Sequence, residues 1–292
     1  MLFHQPVLLK EVIRFMKLET DRGVYCDCTI GGGGHLVEML KLTKRAKFIG
    51  IDWDPEAIAY VRERIKPFRK RCLLFEDNFI NLGLILKEQK ISGLNGVLFD
   101  LGVSYHQLVS PERGFSFERE GELLMRMSPK TSSLLTKIKS ASEQEIIDVL
   151  KNYGDVRNCR RIGSEIYRHK KVLRTTFDLR KVVEKTTPRR FLKKNLHRVF
   201  QAFRIWVNDE LSNLSQALQI AFQRLNPGGR IVVISYHSGE DRIVKRTFRG
   251  FKEEGTMVIL NKKVITPTQE EIRDNPRARS AKLRCGERCV RS

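Results

Sequence analysis

The sequence predicts an α/β protein: a doubly wound parallel sheet interrupted by a helical insertion. Three observations carry this. β-prone and helix-patterned runs alternate through residues 24–102, the alternation lapses from 103 to about 198, and a further apolar strand follows at Arg230–Tyr236. Strands alternating with helices build parallel βαβ units, which gather ligand-bearing loops at the C-terminal ends of the strands.

Residues 5–18 alternate apolar and polar positions at helical spacing (Val7, Leu8, Val12, Ile13, Phe15, Met16) and lead into the first strand. A β-prone run from Val24 then feeds four glycines, Gly31 to Gly34, and a helical pattern follows from Leu36 to Leu42. Strand, glycine turn and helix together present backbone N–H groups and a helix N-terminus to a ligand. Glycine is required because a side chain would hold the ligand away and because such turns use positive φ. A tight turn alone would also explain the glycines, so the second strand decides. Ala46–Ile51 ends at Asp52, 21 residues beyond Gly31, where a carboxylate can accept hydrogen bonds from ribose hydroxyls. The site is therefore expected to bind a nucleoside. Its glycines do not follow G-x-G-x-x-G, and Asp27 precedes them inside the strand. A carboxylate there would repel a pyrophosphate and suit a sulfonium or ammonium group, which favours S-adenosylmethionine over a dinucleotide.

Further along, Asp54 is a candidate N-cap with Pro55 at the first helical position, and the helix continues to Ile65. Arg71–Phe75 reads as a third strand with Glu76, Asp77, Asn78 and Phe79 at its C-terminal end. Ile80–Lys90 is helical, and Gly96–Gly102 is a buried strand carrying Asp100 at its tip. The insertion contains helical stretches at Ser142–Tyr153, Val156–Arg168 and Asp178–Lys185. It is rich in Arg157, Arg160, Arg161, Arg168, Lys170, Lys171, Arg174, Arg189, Arg190, Lys193 and Lys194, the composition of a phosphate-binding surface. Phe200–Leu225 is the longest amphipathic pattern, stopped by Asn226-Pro227-Gly228-Gly229. His237, Ser238, Glu240 and Asp241 follow the strand at Arg230–Tyr236, a helix is expected at Arg242–Phe251, and Thr256–Leu260 is a last strand candidate. The expected division is a cofactor-binding domain of residues 1–104 and 199–292 with an inserted substrate-recognition domain of residues 105–198.

The 292 residues hold 55 Lys+Arg against 34 Asp+Glu, a formal net charge of +21, which points to polyanionic partners and to nucleic acid first. No apolar run approaches the roughly 20 residues that span a bilayer, so no membrane partner is expected. The N-terminal segment lacks the pattern of a secretory signal, and a cytoplasmic location is expected. The six cysteines, at 26, 28, 72, 159, 285 and 289, lack companion ligands at zinc spacing and read as free thiols, with no metal site expected.

A longer set of motifs carries a family resemblance. In order they are His4-x-Pro6-Val7-Leu8, Asp27-x-Thr29-x-Gly31-x-Gly33-Gly34-His35, Asp52-x-Asp54-Pro55, Asp100-Leu101-Gly102-Val103-Ser104 and Glu112-Arg113-Gly114-Phe115-Ser116-Phe117. Then come Met125-Arg126-Met127, Phe200-Gln201-Ala202-x-Arg204-Ile205-x-Val207-Asn208-x-Glu210-Leu211, His237-Ser238-x-Glu240-Asp241-Arg242-Ile243-Val244-Lys245 and Asn275-Pro276-Arg277-Ala278-Arg279-Ser280. Through them the chain resembles the RsmH (MraW) family of S-adenosylmethionine-dependent rRNA (cytosine-N4)-methyltransferases. The resemblance implies a class I (Rossmann-like) methyltransferase fold with a helical insertion. It also implies N4-methylation of a cytidine in the decoding region of 16S rRNA, within the small ribosomal subunit and not on DNA. By matching positions it implies cofactor contacts from Gly33, Gly34, His35, Asp52, Phe79, Asp100 and Gln107. The chain departs from the family pattern with Leu124 in place of an acid, Leu36 of a serine, Tyr236 of a phenylalanine and Gly239 of a leucine.

For the chemistry, Asp100 is the candidate catalytic residue, accepting a hydrogen bond from the cytosine amino group as the methyl transfers. Ser104 lies on the same strand end. Trp206 is a candidate for stacking on a base, worth about 1–3 kcal/mol per base, with packing on its own helix as the alternative. His237 is a candidate proton relay or a structural hydrogen-bonding residue. Arg113, Arg126, Lys245, Arg277 and Arg279 are candidate phosphate contacts. The rival reading is a catalytically weakened ribosome-assembly protein that binds RNA and retains the methyltransferase fold.

Overall fold

The computed structural model describes residues 6–18 and 21–290, so His4 of the first motif lies outside the described residues. The chain divides into two compact units, Met1–Gly102 with Leu211–Ser292, and Val103–Glu210. Through the first part of the first unit run α1 (Leu9–Met16), β1 (Val24–Asp27), α2 (Gly34–Leu42), β2 (Lys47–Asp52), α3 (Pro55–Arg64), β3 (Cys72–Glu76), α4 (Leu82–Glu88) and β4 (Leu94–Asp100). The second unit holds α5 (Tyr105–Val109), α6 (Leu134–Ser140), α7 (Glu143–Gly154), α8 (Cys159–His169), α9 (Thr176–Thr186) and α10 (Arg189–Asn208). The first unit resumes with α11 (Glu210–Arg224), β5 (Leu225–Ser235), α12 (Ser238–Glu253), β6 (Met257–Ile259), α13 (Gln269–Asp274) and β7 (Lys282–Arg288).

The seven strands form one sheet in the order β3-β2-β1-β4-β5-β7-β6. β1 to β5 pair in parallel, and β7 runs antiparallel to both β5 and β6. Alternate residues of each strand feed two cores. Tyr25, Phe48, Leu98, Val232 and Ile234 pack with α1, α2 and α3 on one face, while Cys26, Ile49, Val97, Phe99, Ile231 and Val233 pack with α4, α11 and α12 on the other. This period-2 split is why the strand sequences are apolar throughout. The strand order reverses between β1 and β4, and in open α/β sheets that crevice is where ligands bind.

Three expectations differ from the structure. The amphipathic pattern over Phe200–Leu225 is two helices, because Asp209 adopts a left-handed conformation (φ 49°) between α10 and α11. The apolar spacing passes through that break undisturbed, so the sequence shows one helix. The boundary expected after residue 198 falls inside α10, whose Leu196, Val199, Phe200, Phe203 and Val207 are all buried in the core of the second unit. Finally, β7 carries little strand signal because Lys282, Arg284, Glu287 and Arg288 interleave its few apolar residues. Its pairing supplies what the pattern lacks: Arg284 holds the Asp241 carboxylate with two hydrogen bonds (2.7 and 3.3 Å), and Glu287 accepts from Arg230 at 2.7 Å.

Candidate active site at the strand tips

The loop after β1 is shaped by its glycines. Gly33 N–H donates to the Ile30 carbonyl (2.6 Å) and closes a turn, and Gly33 itself takes φ 74° as the residue preceding α2. A Cβ there would lie 2.8 Å from a Val61 methyl of α3, so both backbone and packing demand glycine. Among the described residues no side chain caps α2, and an open helix N-terminus presents N–H groups that can receive a ligand. Arg64, in the last turn of α3, donates to the Gly32 carbonyl and anchors the loop from the other side.

Asp52 ties β2 to this loop. Its carboxylate accepts the Gly31 N–H at 2.7 Å and the Asp54 N–H at 2.9 Å, while Asp54 caps α3 by accepting the Glu56 N–H. Burial pushes the Asp52 carboxyl up to about 6, with the backbone N–H groups of Asp54, Gly31 and Trp53 opposing. Asp27, at the end of β1, is fully enclosed and accepts the Thr29 N–H (3.1 Å). Burial, reinforced by the charges of Asp100 and Asp52, pushes it up to about 8. Asp27 thus meets the charges of both Asp52 and Asp100 at the strand tips.

Asp100 ends β4, its N–H donating to Thr29 Oγ1 at 2.6 Å. One carboxylate oxygen, Oδ1, accepts the Tyr236 hydroxyl at 2.8 Å, and the other, Oδ2, lies 3.5 Å from His35 Nδ1. The opposite ring nitrogen, His35 Nε2, is 2.9 Å from the Val7 carbonyl. Burial raises the Asp100 carboxyl, while His35 and the Tyr236 hydrogen bond act against it.

Gly33, Gly34, His35, Asp52 and Asp100 therefore share one rim. Phe79 sits on the short helical turn after β3, half-buried, edge-on to Phe99 at 5.6 Å between ring centroids. Its loop is joined to β2 by Asp77 N–H donating to the Asp52 carbonyl (3.0 Å).

The remaining candidates have structural employment. His237 caps α12: its Nδ1 accepts the N–H groups of Gly239 and Glu240, and Glu240 returns to the N–H groups of Tyr236 and His237. Its Nε2 is buried, 3.2 Å from Glu240 Oε1. In the second unit Ser104 and Gln107 form a reciprocal cap on α5, with the Gln107 side chain buried. Arg113 donates to the carbonyls of Arg126 and Met127, and Arg126 to those of Pro129 and Thr131. Trp206 packs on Phe203, and Lys137 lies 5.3 Å from its ring centre while donating to its carbonyl. Lys245 is exposed on α12. Three contributors escaped the sequence reading. Arg64 and the Val7 carbonyl carry no local signal; Tyr236 does, as a polar aromatic closing an otherwise apolar strand beside the motif at His237.

A doubly wound sheet, a glycine loop opening onto an uncapped helix and an electron-rich rim at the switch point define a class I methyltransferase. The rim suits a cationic methyl donor, because the surplus of carboxyl groups is stabilised by positive charge. The comparisons with known proteins agree. The model of the MraW methylase family matches residues 1–289, and the chain belongs to that family. It is 43% identical over 296 residues to the ribosomal RNA small subunit methyltransferase H of Sulfurihydrogenibium sp., covering 99% of this chain and 100% of that one. It is 42% identical over 284 residues to the protein of the same name from Coprothermobacter proteolyticus (96% and 94%), and 41% identical over 292 residues to that of Thermotoga neapolitana (98% and 96%).

Proposed function

We propose that the protein transfers a methyl group from S-adenosylmethionine to the exocyclic N4 of a cytidine in the decoding region of 16S rRNA, presented in the small ribosomal subunit, and that it works in the cytoplasm. The observation that carries this is the convergence of Asp27, Asp52 and Asp100 on the glycine loop at the β1/β4 switch point. The relatives' name supplies the substrate class, and the net charge of +21 suits a polyanion. Among the described residues no helix is long and apolar enough to cross a membrane.

When bound, S-adenosylmethionine would supply an electrophilic methyl group on a cationic sulfur, the S–C bonding pair staying with sulfur. The residues of this chain position and deprotonate. Gly33 and Gly34 let the backbone approach the amino-acid portion, Asp52 accepts from the ribose, and Phe79 packs on the adenine side. Asp100 accepts a hydrogen bond from the cytosine amino group, whose lone pair is otherwise delocalised into the ring. Extruding the base and holding that nitrogen in line supply most of the acceleration, with no covalent nucleophile. The exposed cations of the second unit hold phosphates. The test is methyl transfer from radiolabelled S-adenosylmethionine to small subunits lacking the modification, followed by mass analysis of the decoding-region cytidines. Absence of label at a cytidine N4 rejects the assignment. Asp100→Ala should remove transfer while the protein stays folded.

A further inference from the structure

We propose that His35 receives, through Asp100, the proton released from the substrate amino group, and that Tyr236 selects the carboxylate oxygen that passes it. The inference deepens the methylation reading and rests on it.

A peptide carbonyl only accepts hydrogen bonds, so the 2.9 Å contact to Val7 fixes a hydrogen on His35 Nε2. In the neutral ring Nδ1 is then a bare lone pair. It faces Asp100 Oδ2 at 3.5 Å, an arrangement that leaves room for one proton between them and is repulsive without it. Tyr236 occupies Oδ1 as a donor, and enclosure beside Asp100 pushes its own hydroxyl well above the usual phenol range, so it stays protonated. A proton arriving at Asp100 is therefore directed to Oδ2, the oxygen that faces the ring. The two ends of the pair also differ in access. The Asp100 side chain is 24% exposed and the His35 side chain 5%, so the acid meets the substrate and the base stands behind it.

The proton balance is simple. Cytosine N4 gains a carbon bond and loses one N–H bond; its proton moves to Asp100 Oδ2 and on to His35 Nδ1. Asp100 is left as carboxylate and His35 as imidazolium, still bonded to Val7 through Nε2. The ring returns the proton through Asp100 to solvent after product departs. Nothing is oxidised or reduced. The other titratable groups facing the pair are Asp27 on β1 and Glu240 in the first turn of α12, which act on Asp100, and Glu240 with Glu271 of α13, which act on Tyr236. His35 acts through Asp100 and is a positioning residue in this scheme.

The test has one arm without cofactor and one with it. In the free full-length protein, the ring nitrogens of His35 are followed by NMR against pH. Nε2 should stay protonated throughout, and the response of Nδ1 to pH should differ between wild type and Asp100→Asn, whose side chain is neutral. A neutral ring protonated on Nδ1, or a midpoint unmoved by Asp100→Asn, overturns the proposal. In the second arm single-turnover methylation is measured against pH at saturating cofactor. Wild type should show an inflection at the NMR midpoint. His35→Gln keeps a donor for Val7 and has no base; it should lose that inflection and slow by about a hundredfold, within the range of general-base catalysis. Tyr236→Phe should fold normally, slow less and shift the inflection. A folded His35→Gln enzyme with the wild-type rate and pH profile overturns the relay. A wild type that transfers no methyl group overturns the methylation reading instead, and the NMR arm still decides the pairing.

Discussion

Asp52 accepts the backbone N–H of Gly31 at 2.7 Å, so the carboxylate expected to meet the ribose also sets the loop expected to meet the rest of the cofactor. Its other oxygen takes the Asp54 N–H, and Asp54 in turn starts α3. Asp52→Asn keeps the shape but removes the charge and forces an amide N–H to face one of these donors. Hydrogen bonds to a charged group contribute about 1.5–3 kcal/mol each. Affinity for S-adenosylhomocysteine should therefore fall about ten- to a hundredfold, measured by calorimetry. Wild-type affinity in the variant would remove Asp52 from the binding site.

Asp27 gives the stability of the free protein a pH dependence. Its carboxyl is pushed from the ordinary value of 3.8 up to about 8 by burial and by the neighbouring carboxylates. A group whose folded value is raised stabilises the fold fully below its unfolded value, and that contribution is lost as pH rises through the folded value. Denaturation midpoints should fall between about pH 5 and about pH 9, with a shallower slope in Asp27→Asn, which cannot ionise. Parallel slopes in the two proteins would show that Asp27 does not titrate in this window.

Gly33→Ala separates backbone strain from steric overlap. The left-handed conformation costs a non-glycine residue about 1–2 kcal/mol, and the new Cβ also meets Val61 at 2.8 Å. The variant should lose cofactor binding and a few degrees of thermal stability. Adding Val61→Ala should restore part of the stability and little of the binding, because the φ penalty remains on the loop. Full recovery of binding would show that only the overlap mattered.

The legible parts of this molecule are those whose physics is local. The glycine run, the acid at the tip of β2 and the apolar strands each carry their own signal, so the sheet through β5 and the acids at its strand tips are readable residue by residue. What escaped depends on long-range pairing. β7 is a strand because β5 and β6 flank it, and the break at Asp209 is one backbone conformation inside an unbroken apolar pattern. Arg64 on Gly32 and Tyr236 on Asp100 join residues 32 and 136 positions apart, which no spacing rule reaches. His237, Ser104 and Gln107 show the converse. Each stands in a motif that suggests chemistry, and each spends its side-chain acceptor on a helix cap.

The start of α10 gathers cations where the helix itself disfavours them. Its first turn carries Arg189 and Arg190 and no acid, its N-cap is Pro188 without a capping side chain, and Lys193 and Lys194 follow one turn later. Cations at the positive end of a helix are unfavourable, by about 0.3–1 kcal/mol each at low salt. Phe191 among them is 44% exposed, with Arg190 4.7 Å from its ring centre, a surface suited to a base flanked by phosphates. Replacing Arg189, Arg190, Lys193 and Lys194 together with Gln should therefore raise the thermal midpoint at low salt while weakening RNA binding. The dependence of log affinity on log salt should flatten by about 0.7 for each phosphate that is no longer neutralised. Binding to single-stranded decoding-region RNA at several salt concentrations, alongside thermal melts of the same proteins, reads both effects. A variant that binds with the wild-type salt slope would place the RNA elsewhere on the protein, and one that melts lower would show that these cations support the helix through interactions of their own.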